Sequence, residues 1–485
     1  MTFEPSTSNV AQRRLEALCD PGSLRVFRSG VASRRLGGRA RAGDGVVTAS
    51  GLVGGQPVLC YSQDGTYLGG SLGEMHAESI VKLLRLAGRT GAPVVGFIES
   101  GGARLQEGLA ALAGYSRIFS EHVRLSGVVP QVSVICGASA GGGCYAPALT
   151  DFVVMTEQAS MFLTGPDVVR EITGEDVTMS ALGGWRVHAR TGVCHFTAAS
   201  DAAAADLVRE LLGHLPGGAP PAVAPGPAGF PPDAVVPSES RRVYDVRDVV
   251  RAIADGGRLL EWSRQWARNL MCAFTRIDGR AVGVVANQPA HLGGVLCAES
   301  ASKGAAFVRT CDAFGLPLVV LVDTPGFLPG TKQEQRAVIR HGAKLVHAFA
   351  AASVPSCTVI LRKAFGGAFI AMNSRDLGAD YVFAWPEAQL GVMGAHQAVG
   401  IIHRREIAGA DDAELSHAVL AERYAAEHLS AELAAVDGHV DEVIAPTETR
   451  DRLIAALSGF GRDQSQRFQG AEPDSQMSLS STASL

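Results

Sequence analysis

Lysine is scarce in this chain: it occurs only at positions 82, 303, 332, 344 and 363 of 485 residues, and arginine supplies every other cation. That bias points to a GC-rich genome more than to a function. No Lys/Arg block of the length that grips a phosphate backbone occurs, and the net charge is only −5, which argues against a nucleic-acid partner. No stretch reaches the roughly 18 uninterrupted apolar residues of a membrane span, and the opening MTFEPSTSNVAQRR has no apolar leader core; the expectation is a cytoplasmic protein. The nine cysteines are odd in number and scattered, with no C-x-x-C pair, so they read as reduced, mostly buried thiols with neither a disulfide framework nor a structural zinc. A G-x-x-x-x-G-K-[ST] phosphate cradle is also absent, which removes the nucleotide-hydrolase reading that Asp323-Thr324-Pro325-Gly326 would otherwise invite.

What is present is a long, half-apolar chain. With 47% hydrophobic residues over 485 positions it is too large for one core, so two or more domains are expected. One segment, PGGAPPAVAPGPAGFPPDAVVP (216–237), is too rich in Pro, Gly and Ala for helix or sheet and reads as a linker. The boundaries this predicts are an N-terminal domain over 1–215, a linker over 216–240, a C-terminal domain over 241–462 and a polar, Ser-rich disordered tail over 463–485.

The two halves are copies of one another. A shift of 224 residues lays GAPVVGFIESGG (91–102) on GLPLVVLVDTPG (315–326), and Gly69–Gly70 on Gly293–Gly294. A shift of 225 lays PQVSVICGASAGGGCYA (130–146) on PSCTVILRKAFGGAFIA (355–371), so that Gly141–Gly142 meet Gly366–Gly367. Within each copy, continuous apolar runs such as VVGFI, VSVIC, LVVLV and CTVIL alternate with helical stretches such as AESIVKLLRLAGR, the pattern of βαβ units around a buried parallel sheet. The fold class is therefore α/β, with two homologous domains from an internal duplication.

The glycine pairs follow a strand and precede a helical run, where backbone N–H groups lie free of any Cβ and can point at an oxyanion. Glycine there also suits a plain tight turn. The first pair overlaps Gly137-Ala138-Ser139-Ala140-Gly141, a G-x-S-x-G pattern that offers a serine hydrolase as rival, with His188, His195 and His341 as candidate partners. The repeat speaks against it, since Ser139 falls on Ala364 while glycine falls on glycine. Glu99 and Asp323 match as strand-end carboxylates at the sheet edge where α/β proteins bind ligands, a position that also suits helix capping.

Taken together, GGSLGEMHAESI (69–80), ESGGARLQEGLAALAGYSRIF (99–119), SGVVPQVSVICGASAGGGCYAPALTDFV (126–153), VRTCDAFGLPLVVLVDTPGFLPGTKQE (308–334), IRHGAKLVHAFA (339–350), RKAFGGAFIAMNS (362–374) and GVMGAHQAVGIIHRRE (391–406) resemble the carboxyltransferase β subunits of propionyl-CoA and acetyl-CoA carboxylases, a branch of the crotonase superfamily. The resemblance runs from about residue 44 to about 455. It implies two crotonase-like (ClpP/crotonase spiral) domains in a homohexamer, acyl-CoA on the N-terminal domain, and carboxybiotin on the C-terminal domain of a second subunit. By it, the amides of Gly141 and Gly142 hold the thioester oxygen and those of Gly367 and Ala368 the biotin ureido oxygen. Gly101, Gly102, Ala103, Gly366, Phe369 and Ile370 line the substrate site. The implied activity is transfer of CO2 from carboxybiotin to the α-carbon of a short acyl-CoA, without metal. A decarboxylase working on malonyl- or methylmalonyl-type CoA esters through the same site is the alternative.

The chain carries no biotin-bearing M-K-M tripeptide and no ATP-grasp Gly-rich segment, so a separate biotin carboxyl carrier and a biotin carboxylase are the implied partners. It departs from the family in four places. The N-terminus lacks the usual K-L-T-A-R-E-R-I-type segment, Ile370 stands where propionyl-type members carry an acidic residue, His396-Gln397 replace a Gly-containing pair, and Trp185 replaces smaller residues.

Overall fold

The apolar run Val94–Ser100 is buried along nearly its whole length, with a strand paired to each of its edges, and Leu318–Thr324 repeats this in the second half. A computed structural model of the chain describes residues 10–216 and 242–459, with 218, 226, 229 and 231–239 between them. It divides into two units that meet in sequence at Pro221–Ala222, inside the proline-rich stretch. The tail over 463–485 lies outside the described residues, as does nearly half of the linker over 216–240. The part of the linker that is described is not uniformly loop: Pro232–Ala234 form a single 3-10 turn, and Val235 and Val236 pack on the second core.

Each unit is built on an eight-stranded sheet. In the first, the order is Arg25–Phe27, Val46–Val53, Gln56–Gln63, Val94–Ser100, Gln131–Ala140, Phe152–Thr156 and Phe196–Ala198, with Ser160–Phe162 paired to the end of Gln131–Ala140. In the second, Leu259–Trp262, Leu270–Ile277, Arg280–Asn287, Leu318–Thr324, Ser356–Phe365, Tyr381–Ala384 and Glu442–Val443 repeat that order, with Gln389–Gly391 off the path.

The sheets are not wholly parallel as the apolar runs predict. The first three strands of each are antiparallel to their neighbours, and only then does parallel pairing begin. The cause is local. Gly54–Gly55 and Asp278–Gly279 both take positive φ (56° and 79°; 50° and 75°), the conformation of a two-residue hairpin whose twist matches that of the strands.

Between the parallel strands, helices cover the sheet through an apolar stripe. In Glu74–Thr90 the buried residues Ala77, Ile80, Val81, Leu83, Leu84 and Ala87 recur at helical spacing, and the helix stops at Gly91, whose φ of 70° ends it in the left-handed region.

The duplication is written into the strand register. Ser100 pairs with Ser139 after a register shift, and Thr324 pairs with Ala364 after the same shift. Leu72 bridges Ala103 as Leu296 bridges Phe327. Leu68-Gly69-Gly70 and Leu292-Gly293-Gly294 share three successive positive φ values. In that turn a Cβ on Gly70 would lie 2.1 Å from the Glu99 carbonyl oxygen, and one on Gly294 2.5 Å from that of Asp323, so only glycine fits.

Candidate functional site: two matched amide turns

In the first unit the strand Gln131–Ala140 runs into Gly141, whose φ of 57° and ψ of −126° break the strand, and the helix Gly142–Ala148 starts at once. The Gly141 N–H is donated to the Phe162 carbonyl at 3.2 Å. It is therefore spent on the adjoining strand. Gly142 and Gly143, as the first two helical residues, have N–H groups for which the helix itself holds no acceptor. The geometry thus moves the first pair of candidate donors one residue on, from Gly141 and Gly142 to Gly142 and Gly143.

That shift restores agreement with the other half. At 225 residues' distance Gly142 and Gly143 fall on Gly367 and Ala368, while Gly141 falls on Gly366, which has a nearly identical φ of 59°. Gly366 opens the helix Gly366–Ala371 at the end of the strand Ser356–Phe365. Ala368 is fully buried, Phe369 is partly buried, and Gly367 and Ile370 are exposed on one helical face at i and i+3 spacing.

The surroundings of the two turns differ. Over the first, a Cβ on Gly142 would meet the Tyr115 ring at 2.8 Å, and one on Gly143 would meet Ser139 Oγ at 3.0 Å. The Tyr115 hydroxyl and Ser100 Oγ are 3.1 Å apart, and burial pushes the phenol up to about 12. Over Gly367 of the second turn, nothing within 4 Å would meet an added Cβ.

Gly101, Gly102 and Ala103 lie beside the first turn. The Gly101 N–H is donated to the Gly69 carbonyl at 2.8 Å, the Gly102 N–H to Ser100 Oγ at 3.3 Å, and Ala103 bridges Leu72. A Cβ on Gly102 would stand 3.3 Å from the Ala140 carbonyl oxygen. These residues therefore pack beside the turn, and the two glycine amides are committed within the fold.

The hydrolase rival fails on geometry. Ser139 is buried, and its hydroxyl donates to the Gly143 carbonyl at 2.7 Å, holding the amide turn shut on itself. His188 Nε2 meets the Met161 carbonyl at 2.6 Å, His195 accepts the Val153 N–H at 3.1 Å, and His341 meets Ser302 Oγ at 2.6 Å. Burial also drives His195 down to about 3, far below a working base. Asp323 likewise spends one carboxylate oxygen on Tyr244 and Arg362, so it is a structural member of the strand end.

Sequence reasoning did not single out Tyr115, Arg14 or Arg362. Tyr115 stands inside ESGGARLQEGLAALAGYSRIF, so a signal existed. A cavity of about 680 Å³ in the first unit, lined by Pro57, Val58, Ala92 and Pro93 among others, opens where the strands Gln56–Gln63 and Val94–Ser100 begin, and no residue of either amide turn lines it.

A family model described as the carboxyl transferase domain matches residues 4–468. The methylmalonyl-CoA carboxyltransferase 12S subunit of Propionibacterium freudenreichii subsp. shermanii is 45% identical over 471 residues, covering 94% of this chain and 90% of that protein. The propionyl-CoA carboxylase beta chain of Saccharopolyspora erythraea is 46% identical over 473 residues, covering 92% and 87%. Among solved structures, a transcarboxylase 12S hexamer with methylmalonyl-coenzyme A and methylmalonic acid bound superposes with a TM-score of 0.89 at 43% identity, covering 96% of this chain and 91% of that one.

Proposed function

The chain belongs to the carboxyl transferase domain family, and from that premise we propose that it is the carboxyltransferase subunit of a biotin-dependent enzyme acting on a short acyl-CoA such as propionyl- or acetyl-CoA. The observation that carries the reading is the pair of matched turns. Gly142 and Gly143 in one copy, Gly367 and Ala368 in the other, present paired backbone N–H groups behind a glycine of the same φ.

In the acyl half, Gly142 and Gly143 hold the thioester oxygen and stabilise the negative charge that develops there when the α-proton leaves. Each such donor in a dry, preorganised site contributes about 3 kcal/mol. In the other half, Gly367 and Ala368 are placed to hold the ureido oxygen of biotin, and the open space over Gly367 suits the approach of a flat ring. When bound, carboxylated biotin supplies the CO2 unit. No side-chain nucleophile is required, in keeping with Ser139 being bonded within the turn.

The reading brings partners with it: a carrier protein bearing biotin, a source of carboxylated carrier, and a homohexamer of this chain. It also carries a cytoplasmic location, where a reducing compartment keeps nine buried thiols free. Among the described residues no helix is long and apolar enough to cross a membrane.

One relative is named a methylmalonyl-CoA carboxyltransferase and another a propionyl-CoA carboxylase, so the test has two arms. In one arm purified chain is mixed with biotinylated carrier, propionyl-CoA, biotin carboxylase, ATP and labelled bicarbonate; in the other, with biotinylated carrier, acetyl-CoA and carboxyl-labelled methylmalonyl-CoA, so that the product differs from the donor. Labelled carboxyl transfer to the acyl-CoA in either arm supports the reading. Absence of transfer in both, with a folded hexamer, overturns it.

A further inference from the structure

Glu99 and Asp323 each stand opposite a bulge in the neighbouring strand. In the first sheet the parallel register runs Ile98 with Ile135 and then Ser100 with Ser139, so Glu99 alone stands opposite Cys136, Gly137 and Ala138. In the second it runs Val322 with Ile360 and then Thr324 with Ala364, so Asp323 stands opposite Leu361, Arg362 and Lys363. In both sheets the N–H of the residue facing the bulge is donated to a side-chain amide oxygen from the preceding strand: Glu99 to Gln63 at 3.1 Å, Asp323 to Asn287 at 3.2 Å. Each bulge lies just before the strand end that becomes an amide turn, and bulges of this kind re-aim the chain next to functional groups.

Both carboxylates hold a guanidinium, but it comes from different places. Asp323 is 3.1 Å from Arg362, the middle residue of the opposing three, and takes the Tyr244 hydroxyl at 3.0 Å. Arg362 also donates to the carbonyls of Pro237, Glu239 and Arg242. In the first sheet the position matching Arg362 is Gly137, and a Cβ there would stand 2.9 Å from the Glu99 side chain. The guanidinium is delivered instead by Arg14 of the N-terminal helix Val10–Leu18, 2.9 Å from Glu99 and 2.6 Å from Asp201. Arg14, Arg362 and Asp323 are nearly inaccessible to solvent, and Glu99 is partly exposed.

The same charge pairing is thus made twice at matching places in the register, by guanidinium groups from different parts of the chain. We propose that Arg14–Glu99 and Arg362–Asp323 are positioning clamps: each fixes the bulge that aims its amide turn, Gly142–Gly143 in one half and Gly367–Ala368 in the other. The role assigned to the turns rests on the carboxyltransferase reading; the clamp itself is a statement about where the backbone sits. The N-terminal helix is thereby part of the acyl-side machinery through Arg14, although it lies far from the turn in sequence.

Two readouts on the intact assembly separate the clamp from the function it serves. The first is amide hydrogen exchange of the 136–146 segment in Glu99→Gln, an isosteric change that removes only the charge, and of the 361–371 segment in Asp323→Asn. Exchange of the segment in its own half should rise at least about tenfold while the other half is unchanged; equal exchange in wild type and variant overturns the clamp whether or not the protein transfers CO2. The second is kinetic. A misplacement of about 1 Å costs on the order of 100-fold, so Arg14→Ala should lower kcat about 10- to 100-fold with KM for the acyl-CoA changed less than about threefold. Transplanting the second half's arrangement, Arg14→Ala with Glu99→Asp and Gly137→Arg, should recover at least about tenfold of that loss. A folded Arg14→Ala with near wild-type kcat, or a folded transplant with no recovery, also sinks the proposal. Raised exchange in an assembly inactive from the start would leave the clamp standing and remove the function.

Discussion

The ring of Tyr115 closes over Gly142 so tightly that an added Cβ would lie 2.8 Å from it, whereas the matching Gly367 faces open space. The two turns share a backbone and differ in their roofs. Substitution at the two positions should therefore separate packing from chemistry.

Gly142→Val forces a branched side chain into the Tyr115 ring, an overpacking that costs about 1–3 kcal/mol, and should lower both thermal stability and turnover. Gly367→Val meets no neighbour in its own unit. It should melt close to wild type yet lose about 100-fold or more in kcat, because the side chain fills the space over the amides and bars an oxyanion from its donors. Thermal melts beside steady-state rates check this; a Gly367→Val protein with wild-type kcat would falsify the assignment of the second turn.

Ser139→Ala removes the hydroxyl that holds the Gly143 carbonyl at 2.7 Å. One neutral hydrogen bond of this kind is worth about 1 kcal/mol. A small drop in melting temperature with most activity kept is the expected result. Complete loss of activity in a folded protein would instead restore Ser139 as a nucleophile.

The duplication was legible because glycine with positive φ leaves few alternatives: Gly69, Gly70 and Gly141 recur as Gly293, Gly294 and Gly366 with matching angles. The one-residue slip between shifts of 224 and 225 falls between Ser100 and Gln131, where the first copy carries the helix Leu109–Leu125 and the second the helices Thr331–Gln335 and Val338–Ala351. Surface helices absorb such a change and buried strands do not. The antiparallel edges were also available to reading, since Gly54–Gly55 and Asp278–Gly279 are hairpin dipeptides.

Other features had no local signature. That Gly141 rather than Gly143 is the committed amide depends on the Phe162 carbonyl, 21 residues away in sequence and brought alongside only by strand pairing. The Arg14–Glu99 pair joins residues 85 apart. Charge pairing over such a distance is a product of topology, and no spacing rule reaches it.

Stability should respond to pH through Asp151, whose carboxylate accepts the Gln131 N–H at 2.9 Å at the start of the strand that ends in the first turn. Burial pushes this carboxyl up to about 7, so the fold favours the protonated form, while the unfolded carboxyl ionises near pH 4. Its contribution is whole below about pH 4 and is lost as pH rises through about 7. His76 and His195, driven by burial to about 3, act in the opposite sense: the stability they lend is present above about pH 6.5 and is lost as pH falls towards 3. Asp151→Asn removes the first effect alone. The variant should gain melting temperature over wild type at pH 8 and match it near pH 4; parallel profiles across that range would refute the role given to Asp151.

Substrate range should turn on Ile370. It stands three residues after Gly367, half exposed on the same helical face as that glycine, while Ala368 and Ala371 point into the core. A side chain so placed can touch a ligand held at the turn without supporting the fold, so replacing it changes the site and little else. An apolar, β-branched residue there leaves the pocket without the charge that an acidic one would bring, and single pocket contacts discriminate by about 1–3 kcal/mol. The wild-type enzyme should accept acetyl-, propionyl- and butyryl-CoA with comparable kcat/KM. Ile370→Asp should narrow that range towards propionyl-CoA by about tenfold or more, with the melting temperature nearly unchanged. Measuring kcat/KM for the three esters in both proteins decides the matter: equal ratios would show that acyl choice is set elsewhere, and a large drop in melting temperature would show that residue 370 is a packing residue in the assembled enzyme.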